Sequence, residues 1–154
     1  MKSIVAIAAL LLLLTSCASN DGFIDQAVDT CQSGDALELQ AGMGQASMFA
    51  DGRATVVVEV SNNSNEDVTV SQVRVDPTSP DPQRFEVMGG TVTTPQEIAQ
   101  GESHAFEVPI TVRLKDQMAG QRQRGYAVAV EANVSVKTTS GISSRCRFRL
   151  PVQF

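Results

Sequence analysis

The side chains able to do chemistry in this 154-residue chain are few and scattered. Cysteines stand at Cys17, Cys31 and Cys146, and His104 is the only histidine. A serine triad needs a base oriented by a third group, and the sequence surrounds His104 with no such partners. Asp76 and Asp81 share a proline-rich loop, but calcium asks for roughly six to eight oxygens, so a rigid polar turn is the simpler reading. Met43 and Met48 suggest copper only weakly, since methionines commonly fill gaps in a core or loop. No glycine-rich phosphate loop appears. Cys31 and Cys146 have no third or fourth metal ligand near them in sequence. The expectation is a chain with no catalytic residues, no metal site and no cofactor.

Charge carries more information. The formal net charge is −5, yet it is unevenly spread. Residues 17–112 hold fifteen acids and three basic residues, whereas residues 113–154 hold eight basic residues and two acids. The basic set includes Arg113, Lys115, Arg122 and Arg124 around the 115–124 connection, and a row of Arg145, Arg147 and Arg149. Such a face suits anionic headgroups, lipopolysaccharide phosphates or an acidic protein. The competing reading is internal compensation by acids on neighbouring strands. Lys115, Arg122, Arg124, Arg145, Arg147 and Arg149 are the candidate partner-binding residues.

The amino terminus gives an address. Lys2 precedes an apolar run from Ile4 to Leu14. That run suits a secretory signal and is shorter than the roughly 20 residues that span a bilayer. Leu14-Thr15-Ser16-Cys17 resembles the lipobox of bacterial lipoproteins. The resemblance implies cleavage before Cys17, a diacylglycerol on its thiol and, often, acylation of the new amino terminus. Two or three acyl chains hold a membrane firmly where one does not. Ala18 rather than Asp follows the cysteine, which in Gram-negative lipoproteins implies the outer membrane, facing the periplasm. If lipid takes Cys17, Cys31 and Cys146 remain as a pair in an oxidising compartment and are expected to form a disulfide. Fourteen residue steps, at most about 48 Å, then separate lipid from disulfide and hold the domain near the bilayer. Nucleic acid is not an expected partner of an acidic, exported chain.

The elements that must position these groups are strands. From Arg53 onward apolar residues recur at period two. Val56, Val58 and Val60 share one face, then Asn62-Asn63-Ser64-Asn65-Glu66 makes a turn. Alternation resumes at Asp67, and its phase slips between Val70 and Val73, which predicts a bulge near Ser71-Gln72. Pro77, Pro80 and Pro82 argue against a central strand over 76–82. Residues 83–88 and 91–98 are weaker strands around Gly89-Gly90. Phe106, Val108, Ile110, Val112 and Leu114 point inward, with Pro109 on the outward parity marking an edge or bulge. Tyr126, Val128, Val130, Ala132, Val134 and Val136 share a face, as do Cys146, Phe148 and Leu150. Both of these last strands bury even-numbered residues, so their loop must have odd length. Thr139-Ser140-Gly141 fits, with Gly141 left-handed, Phe148 opposite Ala132 and Arg149 opposite Glu131.

With a first strand over 36–41, these make an all-β chain of about seven to eight strands, read as an antiparallel sandwich. The spaced valines before Asn62 and the Gly101-Glu102-Ser103-His104-Ala105-Phe106 entry resemble bacterial immunoglobulin-like domains, a diffuse pattern over 35–154. A lipocalin-like barrel is the second choice. In the sandwich, first and last strands lie side by side, which brings Cys31 near Cys146. Phe23, Ala27 and Cys31 recur every four residues and suggest a short helix. The expected organisation is a signal peptide (1–16), a lipidated amino terminus and tether with that possible helix (17–34) and the sandwich (35–154). The expected function is a non-catalytic envelope binding module, anchored by lipid and engaging an envelope protein. The alternative is a carrier of a small ligand or metal at the loop tips.

Overall fold

The computed structural model describes residues 29–33, 36–44, 52–115 and 127–153. These form strands β1 (Asp29–Ser33), β2 (Leu37–Met43), β3 (Arg53–Asn62), β4 (Val68–Thr78), β5 (Phe85–Met88), β6 (Gly90–Val92), β7 (Gln96–Ile98), β8 (Ser103–Leu114), β9 (Ala127–Thr138) and β10 (Ser143–Gln153). One antiparallel sheet has the order β1-β2-β3-β8-β5, the other β10-β9-β4-β6, with β7 also on β4. The fold is an immunoglobulin-like β-sandwich, two separate layers and not a closed barrel. The short β1, β6 and β7 raise the strand number above the seven or eight expected from the sequence.

Period-two patterning builds the core. Val56, Val58 and Val60 of β3, Val108 of β8, Val73 and Val75 of β4, Val134 and Val136 of β9, and Phe148 and Leu150 of β10 are fully buried between the layers. Val58 stands opposite Phe106, and Val75 opposite Val134. The ladder between β4 and β9 shifts between Val70 and Gln72, the bulge expected at Ser71-Gln72. The β9–β10 register is the predicted one, with Phe148 opposite Ala132 and Arg149 opposite Glu131. Its turn is closed by Gly141 N–H donating to the Thr138 carbonyl at 3.2 Å and Thr138 N–H donating to the Ile142 carbonyl at 2.9 Å. Gly141 has φ 88°, a conformation that glycine adopts without a Cβ penalty. The turn after β3 is built on Asn62, whose buried amide donates to the Glu66 and Ile98 carbonyls at 2.8 and 3.0 Å and accepts from Ser64.

Three expectations change. Residues 29–31 are strand, not helix: Cys31 stands opposite Leu39 in a ladder from Asp29↔Ala41 to Ser33↔Leu37, so the sandwich begins before residue 35. Backbone pairing with β2 outweighs a four-residue spacing too short to hold a helix alone. Residues 21–28 lie outside the described residues. Second, β4 continues through Pro77, which stands opposite Ala132. Pairing with β6 has already ended at Val75, so a missing N–H on that side breaks no ladder bond. Third, the expected first strand over 36–41, which is β2, does not lie beside β10 in one sheet: β2 runs between β1 and β3, and β10 ends the other sheet. β1 and β10 border different sheets at the same rim and pack against each other there.

Candidate functional site

Alternation on β10 turns Cys146, Phe148 and Leu150 into the core and leaves Arg145, Arg147 and Arg149 exposed on the outer face. Register then decides what they meet. Arg145 stands opposite Ser135, Arg147 opposite Asn133 and Arg149 opposite Glu131. Only the last pairing offers a counter-charge, with Arg149 Nη2 3.9 Å from Glu131 Oε1 in the open. An exposed pair at that distance is worth little. Arg145 and Arg147 have no ion pair among the described residues.

The same face carries two cations that the sequence reading did not include. Lys137 of β9 stands opposite Ser143 and Gln72, and Arg74 of β4 stands opposite Ser135. Lys137 shares the outward parity of the arginine row, so the hairpin alternation already contained it. Arg74 was hidden because the β4 phase slips at the bulge and its pairing with β9 spans some sixty residues of sequence. The Arg74 guanidinium donates from Nε to Asp76 Oδ1 at 2.8 Å, with Nη2 at 2.7 Å. That hydrogen bond, then the charge of Asp76, raises the Arg74 pKa above its ordinary value.

The other outer face has the opposite sign at one end. Glu38, Glu59 and Glu107 follow one another across β2, β3 and β8, while Glu86 is paired with Arg113 at 2.6 Å. Sheets stack about 10 Å apart, so these acids lie beyond a full core from the arginine row. At physiological salt, charges that far apart are largely screened. Among the described residues, internal compensation therefore reaches Arg74 and Arg149 but leaves Lys137, Arg145 and Arg147.

Lys115 is not part of this face. It follows β8 at the opposite rim, where its Nζ donates to the Pro82 carbonyl at 2.6 Å and its N–H to the Arg84 carbonyl at 2.9 Å. Arg122 and Arg124 lie outside the described residues, as does Cys17. Cys146 is 3% exposed, opposite Val134, on the strand against which β1 packs; Cys31 lies within β1.

The remaining candidates have structural occupations. Half-buried His104 sits edge-on to Phe106, ring centroids 4.9 Å apart. Asp76 is engaged by Arg74, whereas Asp81 accepts from Gln83 N–H at 3.0 Å and holds a turn through its carbonyl. The two carboxylates thus serve separate neighbours. Met43 packs on the core edge, and Met48 lies outside the described residues. Among the described residues, no three His, Cys, Asp or Glu side chains converge as a metal site.

No protein-family model matches the chain, and no curated protein matches it. Solved structures similar to it include a FixG-related protein from Vibrio parahaemolyticus (11% identity over 75% of this chain and 97% of that one, TM-score 0.39). Another is the PapD-like domain 7 of human CEP192 (14%, 82% and 89%, TM-score 0.38). A third is the collagen-binding subdomain of the Enterococcus faecalis surface protein ACE (9%, 75% and 96%, TM-score 0.31).

Proposed function

We propose that this chain is a lipid-anchored lipoprotein of the bacterial envelope whose sandwich is a non-catalytic binding module for an envelope protein. The observation that carries the binding role is the exposed row on β10, where Arg145 and Arg147 have no acidic partner among the described residues. Flexible cations held in line on a stable sheet without local neutralisation attract an acidic surface and orient it. Arg122 and Arg124 extend the proposal to the 115–124 connection. The anchor is the acylated Cys17 of the lipobox-like segment, and an envelope address follows from it.

The same address favours a disulfide between Cys31 and Cys146. Its support is that β1 packs on β10, that Cys146 points into the core and that its thiol is not free. Peptide mapping of the purified chain under non-reducing conditions tests both modifications, expecting acyl mass on a peptide starting at Cys17 and a linked Cys31–Cys146 peptide.

The function itself is tested by brief cross-linking of the full-length, tagged chain in native membranes. One stoichiometric envelope protein is expected with the wild type and its loss with Arg145→Glu plus Arg147→Glu, at unchanged melting temperature. Equal recovery with both chains removes the arginine row from the binding surface.

A further inference from the structure

The backbone of β10 shows which of its polar groups are spent. Thr138 N–H bonds the Ile142 carbonyl, so this pair is a hydrogen-bonded one. Antiparallel ladders alternate hydrogen-bonded and non-hydrogen-bonded pairs. Counting along the register, Val136/Ser144, Val134/Cys146 and Ala132/Phe148 are hydrogen-bonded, whereas Lys137/Ser143, Ser135/Arg145, Asn133/Arg147 and Glu131/Arg149 are not. Ser143, Arg145, Arg147 and Arg149 therefore turn their own N–H and C=O away from β9. β10 ends its sheet, and among the described residues no strand pairs with that side. The next residue of this parity is Pro151, opposite Ala129. Lacking an N–H, it closes the run of open donors without disturbing the β9 ladder.

Arg145, Arg147 and Arg149 thus each offer an amide, a carbonyl and a guanidinium at the same place. We propose that the free edge of β10 over residues 143–149 accepts an extended acidic segment of a partner protein as an added strand, with a carboxylate at every second residue facing the arginines. This rests on the binding-module reading and names its partner chemistry. Main-chain bonds along a sheet edge supply affinity, and alternate side chains supply specificity. Opposite residues of such a pair lie about 5.5 Å apart at Cα, within reach of a carboxylate for an arginine. Ser135 and Asn133 leave Arg145 and Arg147 uncommitted on the β9 side. Charges on an edge also guard against pairing, but a guard of one sign repels basic strands and admits acidic ones.

The test titrates the full chain with a synthetic peptide alternating glutamate and threonine over one strand length, read by residue-resolved amide hydrogen exchange. Exchange is expected to slow at Arg145, Arg147 and Arg149 and to stay unchanged at Cys146 and Phe148. Binding is expected to weaken about tenfold in the Arg145→Gln, Arg147→Gln double variant. A peptide with methylated backbone nitrogens is expected not to bind. Equal binding of the methylated peptide reduces the interaction to charge attraction and overturns strand addition, as does no binding at all. Slowing of these amides by anionic phospholipid vesicles but not by the peptide assigns the row to lipid and overturns it too. If cross-linked capture still depends on Arg145 and Arg147 while the peptide protects nothing, the module reading stands and strand addition fails. If the peptide protects these amides but no envelope protein is captured, strand addition stands and the module reading fails.

Discussion

β10 borders one rim of the sandwich with eleven residues and a guanidinium at alternate exposed positions, whereas the opposite rim is bordered by β5, β6 and β7, of four, three and three residues. Both rims face the hazard of unpaired edges, and they meet it differently. At the short rim the chain steps from one sheet to the other between Met88 and Gly90. Gly89 and Gly90 make the step possible, because a Cβ on either would overlap the carbonyl of Val75 or of Pro109. That rim is closed by backbone pressed on backbone. Among the described residues, the β10 rim keeps a long row of unpaired main-chain groups and marks it with charge. A closed rim has little to offer a partner, while a marked one can select by charge.

The sharpest test of this contrast is the core that both rims share. Phe148→Ala is expected to cost about 3–5 kcal/mol, measured by urea unfolding, because Phe148 is fully buried at the heart of the packing. A smaller loss places the anchor of the β10 rim outside the common core. Gly90→Ala is next, at about 1–3 kcal/mol or more, since the overlapped atom is backbone and cannot swing aside. Calorimetry showing an unchanged melting temperature would contradict the closed-rim description. Gly141→Ala and Gly101→Ala are each expected to cost about 1–2 kcal/mol. Both have positive φ and open space around the missing Cβ, so similar values isolate backbone strain from crowding at Gly90. The smallest effect belongs to Glu131→Gln, within about 0.5 kcal/mol in thermal unfolding. A larger change means that Arg149 is held by Glu131 and is not available at the edge.

What could be read from sequence follows the range of the interaction concerned. The β9–β10 register was legible because a three-residue turn and two alternating strands fix each other's parity locally. The bulge was legible because Val70 and Val73 cannot both face inward on a regular strand. β1 was not, since its strand identity comes from pairing with β2 and not from its own pattern. The passage of β4 through Pro77 depends on where β6 stops, and the sequence of β4 carries no trace of that. Nor does linear order show that Lys115 leaves β8 at the rim away from the arginines. Pro77, Pro109 and Pro151 share one rule once the register is known. Each stands at a non-hydrogen-bonded position of its ladder, its nitrogen directed where, among the described residues, no strand pairs.

The three-residue turn at residues 139–141 also sets an order in time. Contacts across β9 and β10 join residues close in the chain, whereas Val58 must wait for Phe106 across a long intervening segment. Hairpins close in about 1–10 μs, and distant pairings come later because loop closure must precede them. The β9–β10 ribbon is therefore expected to form while its valines still lack a cover. During that interval the alternate arginines give the ribbon one strongly hydrated side and mutual repulsion between chains. Gly141→Ala is expected to slow folding more than it hastens unfolding, a ratio that stopped-flow kinetics reads directly.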